Sequence, residues 1–372
     1  MINAGTGTLC LSMIEAFSAN SKDPAEINKL VKQFKSNVNE EFGGTIRTNK
    51  VGLENWFEHF DPISISSTLY VFVGIFAFAS FAVMRVPLRR TAFWLCVLAL
   101  TIHTVAIVCR IVISERPPVV TLYSAAVFIG WAMVLFCTVT ELLFPISVSV
   151  LLASVAGFLT LQVAFGLDVG DSMPVLEAVL DTQFWLSTHV VSVSLGYSAT
   201  FVAGFLGIGI IAAKWIAQLA GQQSEIGQST TNAIPTLYRI CYGVVCFGLF
   251  FSFVGTVLGG LWGDDSWGRF WGWDPKENGA MMIVLWNALL LHARWDKMIG
   301  ALGFAILAVV GNIITAWSMF GTNLLGVGLH SYGFSKETFY YLVYFAISQL
   351  VAIALGLIIL FVLRGQQKTE LE

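Results

Sequence analysis

Charge is scarce in this chain. Asp, Glu, Lys and Arg make up 12% of its 372 residues, about half the ~25% found in soluble domains. That excludes an ordinary soluble domain. With 56% apolar residues, the composition is that of a polytopic, all-α membrane protein. Lys and Arg never gather into a basic block and the net charge is −3, so nothing points to nucleic acid. Six cysteines are scattered without a Cys-x-x-Cys or a Cys-x-x-Cys-His. This argues against thiol–disulfide exchange and against a covalently held haem. There is no Gly-rich phosphate loop, internal repeat or low-complexity run. No secretory signal is recognisable either, since GTLCLSMIEAF is short and lacks a basic start.

What is abundant is apolar runs of membrane-crossing length. About nine spans are expected, near 65–84, 92–113, 119–140, 145–165, 187–213, 236–259, 279–295, 299–319 and 339–363. Turn signals separate them: RVPLRR, SERPP, Pro145, Pro235 and RGQQK. Only helices satisfy every backbone group in lipid without closing a barrel. One set of ends carries Arg85, Arg89, Arg90, Lys214, Arg239, Arg294, Lys297, Arg364 and Lys368; the other carries Arg110, Arg116, Arg269, Lys276 and Lys336. The richer set marks the cytoplasm. Residues 364–372 are then a cytoplasmic tail, and residues 1–64 lie outside.

That polar head, 1–64, contains SKDPAEINKLVKQF, a short amphipathic helix. Asp23 is its expected N-cap, Pro24 its first residue and Glu26 the capping-box partner, with Ile27, Leu30, Val31 and Phe34 on one face. How such a head crosses is explained if the chain derives from a longer polypeptide whose earlier spans carried it over.

The densest aromatic stretch is WGRFWGWDPKENGA, residues 267–280. Trp262, Trp267, Phe270, Trp271 and Trp273 alternate with glycines, a pattern that lets several rings lie against one flat object. Interfacial belts also collect tryptophan, but a belt does not require five aromatics in one short loop. Asp274 opens a helix start, with Pro275 at the first helical position and Glu277 three residues after the cap. Capping is the favoured role for both carboxylates. Arg269 and Lys276 sit inside the aromatic cluster, where they can pair with carboxylates on a ligand's edge.

Only five histidines are present. His189 begins the fifth span and His330 lies between the last two, both on the side of the aromatic loop. Two imidazoles flanking a flat aromatic platform suit axial ligation of a haem iron. A single histidine at an interface more often serves a hydrogen bond. His292, in LLLHARW, lies about 20 Å deeper by helical rise; as a ligand it would belong to a second site within the membrane. His103 is read as a packing or hydrogen-bonding residue, and His59 is assigned no role.

These residues together, WGRFWGWDPKENGA followed by LLLHARW, with His189 before and His330 after, resemble the CcsA (ResC) family of cytochrome c biogenesis proteins. That family belongs to the wider haem-handling group with a Trp-rich, Asp-containing WWD loop. The resemblance covers roughly residues 90–363, and HTVAIVCRIVISERPPVVTLYSAAVFIGW also looks like the family's early spans. It implies a transmembrane haem-handling domain over 65–363 with the loop at 260–280. It also implies transient, non-covalent haem b, held by Trp267, Phe270, Trp271 and Trp273 between His189 and His330. By the same resemblance, His292 is a ligand of in-membrane haem. The implied activity is delivery of haem to a Cys-x-x-Cys-His apocytochrome c in a thioether-forming synthase complex. The partners are a CcsB/ResB-type membrane protein and, indirectly, thiol-reducing proteins. The implied location is the bacterial inner membrane, with the loop on the extracytoplasmic side. The alternative is a haem exporter or chaperone, CcmC/CcmF-like, without ligation. A purely structural scaffold and a b-type cytochrome using His103 and His292 are further rivals. The sequence departs from the family after WDPKE, where Asn278-Gly279 replaces the common Thr-Trp.

Overall fold

The computed structural model describes residues 11, 14, 24–42, 48–167, 182–221, 223–328, 330 and 334–369. Among them there is no strand. The chain divides into two compact units, Met1–Asp61 and Pro62–Glu372.

The first unit contains α1 (Pro24–Phe42) and α2 (Thr48–Phe60). In α1 the expected face appears: Ile27, Leu30, Val31 and Phe34 are half-buried, while Asn28, Lys29, Lys32 and Gln33 are exposed. The expected cap Asp23 lies outside the described residues. In α2, Trp56 and Phe60 stack at 4.9 Å, and His59 donates from Nδ1 to the Asn55 carbonyl at 2.7 Å.

The second unit is a helical bundle: α3 (Pro62–Ala82), α4 (Arg85–Ser114), α5 (Leu122–Leu143), α6 (Val148–Leu167), α7 (Val191–Ala220), α8 (Glu225–Trp267), α9 (Pro275–Trp295), α10 (Ala301–Ala316) and α11 (Lys336–Thr369). Two short π-helical segments interrupt it. Leu186–Val190 leads into α7, and Trp317–Gly321 continues α10 before a 3-10 turn, Thr322–Leu325.

Among the described residues, eight helices are long and apolar enough to cross a membrane, so the chain is a polytopic helical membrane protein. The seventh expected span, 279–295, lies in α9, a 21-residue helix that is not one of those eight. Lys276, Glu277, Asn278, Asn287, His292 and Arg294 dilute its hydropathy, and it packs between α8 and α10.

Two turn signals correct the expected boundaries. Pro235 lies inside α8, and Pro87 lies in the first turns of α4. A helix that leaves the hydrocarbon continues where backbone bonds still favour it. α8 therefore runs 43 residues, far beyond the ~20 needed to cross.

Lipid tails are as apolar as leucine, so close packing rather than water expulsion holds such helices together. The contacts here are small residues seated against small polar ones. A methyl on Gly196 of α7 would meet the Ser252 backbone nitrogen of α8 at 2.7 Å, and one on Gly279 of α9 would meet Ser318 Oγ at 2.7 Å. Gly204 of α7 is covered by the Asn312 carboxamide of α10, which itself donates to Gln349 of α11 at 2.9 Å. Asn287 of α9 donates to Thr200 of α7 at 3.1 Å.

These seats predict a contrast. Gly204→Val overpacks the α7–α10 contact and costs about 1–3 kcal/mol, read as a lower thermal midpoint of the detergent-solubilised protein. Gly243→Ala has nothing within 4 Å and leaves the midpoint unchanged or slightly raised.

Candidate functional site at one end of the bundle

The aromatic stretch is less of a loop than the sequence suggested. α8 continues through Trp262 and Gly263 to Trp267, where Gly268 terminates it at φ 67°. Helix resumes at Pro275. Only 268–274 is irregular, so the bend falls at Gly268 rather than at every glycine.

Asp274 caps α9 as expected. Its Oδ1 accepts from Lys276 N at 2.8 Å, and Glu277 Oε2 accepts from Asp274 N at 3.1 Å and Gly272 N at 2.8 Å. Asn278 Nδ2 donates to the carbonyl of Trp273 at 3.1 Å; Trp273 holds a left-handed φ of 58°. The departure at Asn278-Gly279 thus has a local purpose. Asn278 braces the turn, and Gly279 lets α9 approach the second π segment at Ser318.

His189 projects from the first π segment, and the α8 surface it meets is stripped of side chains. A methyl on Gly259 would lie 2.5 Å from the His189 Cε1 atom. Its Nδ1 stands 2.7 Å from the Gly255 carbonyl. A carbonyl only accepts, so Nδ1 carries the proton and Nε2 keeps its lone pair. His330 Nδ1 stands 3.2 Å from Asp274 Oδ1, and the same argument against a carboxylate leaves its Nε2 as the lone-pair nitrogen. Neither Nε2 has a hydrogen-bond partner among the described residues.

Both histidines line one cavity of about 220 Å³, together with Trp262, Trp267, Trp271 and Arg269. Ser194 and Tyr197 lie at its α7 wall, and Tyr197 OH is 3.2 Å from Ser318 Oγ. This volume is below the ~300–1,000 Å³ of common ligand pockets. Trp267 and Arg269 are among the cavity's exposed lining residues.

Of the remaining expected residues, Lys276 also lines this cavity, whereas Phe270 and Trp273 are placed differently. Phe270 turns back onto α8, where its ring takes the space a methyl on Gly260 would need. Trp273 is 70% exposed and meets Trp271 edge-on at 6.3 Å. Lys276 Nζ donates to the Met319 carbonyl at 2.7 Å and to Asn323 Oδ1 at 3.3 Å. It braces the second π segment rather than standing free. Burial pulls its ammonium down to about 7 against the opposing pull of Asp274.

His292 is not at this cavity. Its side chain is 73% exposed and Nε2 pairs with Asp296 at 3.0 Å. His103 is buried beside Tyr70, whose hydroxyl is 3.1 Å from Nδ1, in keeping with a packing role.

Sequence reasoning placed Trp262 in the aromatic cluster but not among the residues expected to hold haem, and left Gly255, Gly259 and Gly328 out of the site. The four-residue spacing Gly255, Gly259, Gly263 was the available signal, a small-residue stripe on one helix face. Gly328, at φ 87°, lies against the Asp274 carboxylate, and a methyl there would overlap it.

The family model described as Cytochrome C assembly protein matches residues 119–330, a range that includes both cavity histidines. The chain is 28% identical over 285 residues to Protein NrfI of Wolinella succinogenes, covering 74% of this chain and 30% of that protein. It is 30% identical over 248 residues to Cytochrome c biogenesis protein CcsA of Synechococcus sp. (strain CC9605), covering 59% of this chain and 79% of that one. The protein of the same name in Chlamydomonas reinhardtii is 29% identical over 227 residues, covering 59% and 62%. The chain therefore spans less than a third of NrfI and most of the first of these CcsA proteins.

The Lys276 environment sets a pH dependence. Its folded-state pKa, about 7, is below the ~10.4 of an unfolded lysine. Between these values the unfolded chain binds the extra proton, so this residue makes stability rise with pH above 7. Thermal midpoints at pH 7 and pH 9 will show that increment in the wild type, and Lys276→Gln will reduce it.

Proposed function

Because the chain belongs to the cytochrome c assembly protein family, we propose that it holds haem b as a transient cargo in the His189–His330 cavity. There it presents the haem to an apocytochrome c bearing Cys-x-x-Cys-His. The observation that carries this reading is the pair of imidazoles on one cavity. Each is fixed through Nδ1, neither Nε2 has a partner among the described residues, and the same cavity is lined by Trp262, Trp267 and Trp271. Metal-binding histidines have this arrangement, with the distal nitrogen tied to a carbonyl or carboxylate.

The cavity residues divide the work. The imidazoles grip the iron. The indoles cover the macrocycle, each burying up to ~150–250 Å². Arg269, whose one hydrogen bond among the described residues is a 3.5 Å contact to the Gly272 carbonyl, is placed to meet propionates. Lys276, already bonded within the protein, supports the cavity wall. Attachment adds each cytochrome thiol across a haem vinyl group, sulfur to one carbon and hydrogen to the other, with no net oxidation. No side chain here is assigned to move that proton; the contribution is orientation and proximity.

The Lys/Arg distribution supports an extracytoplasmic cavity in a bacterial inner membrane, with the 1–64 head on the same side and the 364–372 tail in the cytoplasm. His292 is exposed near the inner end of α9. An in-membrane haem there would take its second ligand from a CcsB/ResB-type partner. Binding through Nε2 also requires the Asp296 contact to open. Thiol-reducing proteins act indirectly, by keeping the cytochrome's cysteines reduced.

Purification with the partner should yield a Soret band. His189→Ala or His330→Ala should lower haem content at least about tenfold, and added imidazole should restore it. A well-folded wild-type protein without haem overturns the reading. Supplying apocytochrome then separates the synthase from a haem exporter: covalent haem is expected, and its absence with all partners present favours export.

A further inference from the structure

The two cavity imidazoles are anchored to unequal acceptors. His189 Nδ1–H donates to the neutral carbonyl of Gly255 at 2.7 Å. His330 Nδ1–H donates to the carboxylate of Asp274 at 3.2 Å, and that carboxylate is buried, its side chain only 3% exposed. An anionic acceptor draws the Nδ1 proton more strongly and makes Nε2 the better electron donor. The Asp274 carboxylate is itself held in place. Oδ1 also accepts from Lys276 N at 2.8 Å, and the backbone of Gly328, two residues before His330, closes over Oδ2. One carboxylate therefore fastens the start of α9 and the far side of the cavity together.

We infer that Asp274 is a positioning residue as well as a helix cap: it fixes the Nδ1–H tautomer of His330 and makes His330 the stronger iron donor of the pair. This rests on the haem-holding reading above. It differs from that reading in assigning the bond between ligand and protein, and in predicting that the two histidines are not equivalent.

The two roles of Asp274 separate by substitution, because Asn caps helices about as well as Asp. Asp274→Asn keeps the cap and shape and removes the charge. The variant is expected to elute and melt like the wild type. It should retain haem roughly 10–100-fold less tightly, and the haem that remains should show a raised reduction potential. Pairwise combinations add a readout that a merely structural role does not move. Asp274→Asn with His330→Ala should hold haem no worse than His330→Ala alone, since the two act through one bond. Asp274→Asn with His189→Ala should lose the sum of both effects. Glu277→Gln, which alters the capping box without touching His330, should leave the potential unchanged.

If the wild type holds haem while Asp274→Asn matches its retention and potential, or adds fully to His330→Ala, the inference is wrong and the haem-holding reading stands. If the wild type holds no haem, the haem-holding reading itself has failed.

Discussion

Close approach of α7 to α8 is the constraint on which this end of the molecule depends. Within lipid, helices gain little from burying apolar surface against each other, so their spacing is set by what fits between them. Here the fit is made by glycines. Gly196 admits the backbone at Ser252, Gly255 sits 2.7 Å (from a notional methyl) off Val193 N, and Gly259 admits the His189 ring. The same approach that packs the helices brings the Gly255 carbonyl to His189 Nδ1. Without it the imidazole is neither oriented nor relieved of its polar nitrogen. Helix packing and the orientation of this imidazole are one event on this face.

The opposite wall is organised by a turn. Asp274 and Glu277 cap α9 reciprocally, and N-caps of this kind are worth about 1 kcal/mol. Their larger consequence is spatial. The capping carboxylate meets His330 from a distant part of the chain, and Lys276, one turn position on, reaches the carbonyl of Met319. That carbonyl lies in the second π segment, where the i→i−4 ladder is interrupted. It accepts from Lys276 Nζ and from Asn323 Nδ2 at 2.9 Å. The two π segments thus flank the cavity, one carrying His189 and the other supported by the start of α9.

Much of this was legible in the sequence, and the limits have physical reasons. The spans were readable because hydropathy reports the hydrocarbon slab. Their ends were not, because α8 continues to Trp267 outside it, and Pro235 is tolerated within the helix. The cap at Asp274 was readable from DPKE alone, since capping is local. That the same carboxylate meets His330 was not, because 56 residues separate the two. The aromatic cluster announced a site but not its facing. Trp267 and Trp271 line the cavity, while Phe270 folds onto Gly260 and Trp273 points outward. Alternation with glycine leaves ring direction undetermined until the helix end at Gly268 is known.

Two positive side chains looked interchangeable in sequence and are separated by their surroundings. Lys276 donates to Met319 and Asn323; turning it toward a ligand takes a donor from the buried Asn323 Oδ1 and leaves the Met319 carbonyl with Asn323 Nδ2 alone, a cost of about 1–3 kcal/mol. Arg269 has one long contact to Gly272, and its planar fork matches a carboxylate without breaking anything of comparable strength. In the proposed reading, Arg269 is therefore the better placed of the two to meet an acidic edge. Arg269 stands exposed among the cavity-lining residues, while the lysine beside it is committed to holding the wall.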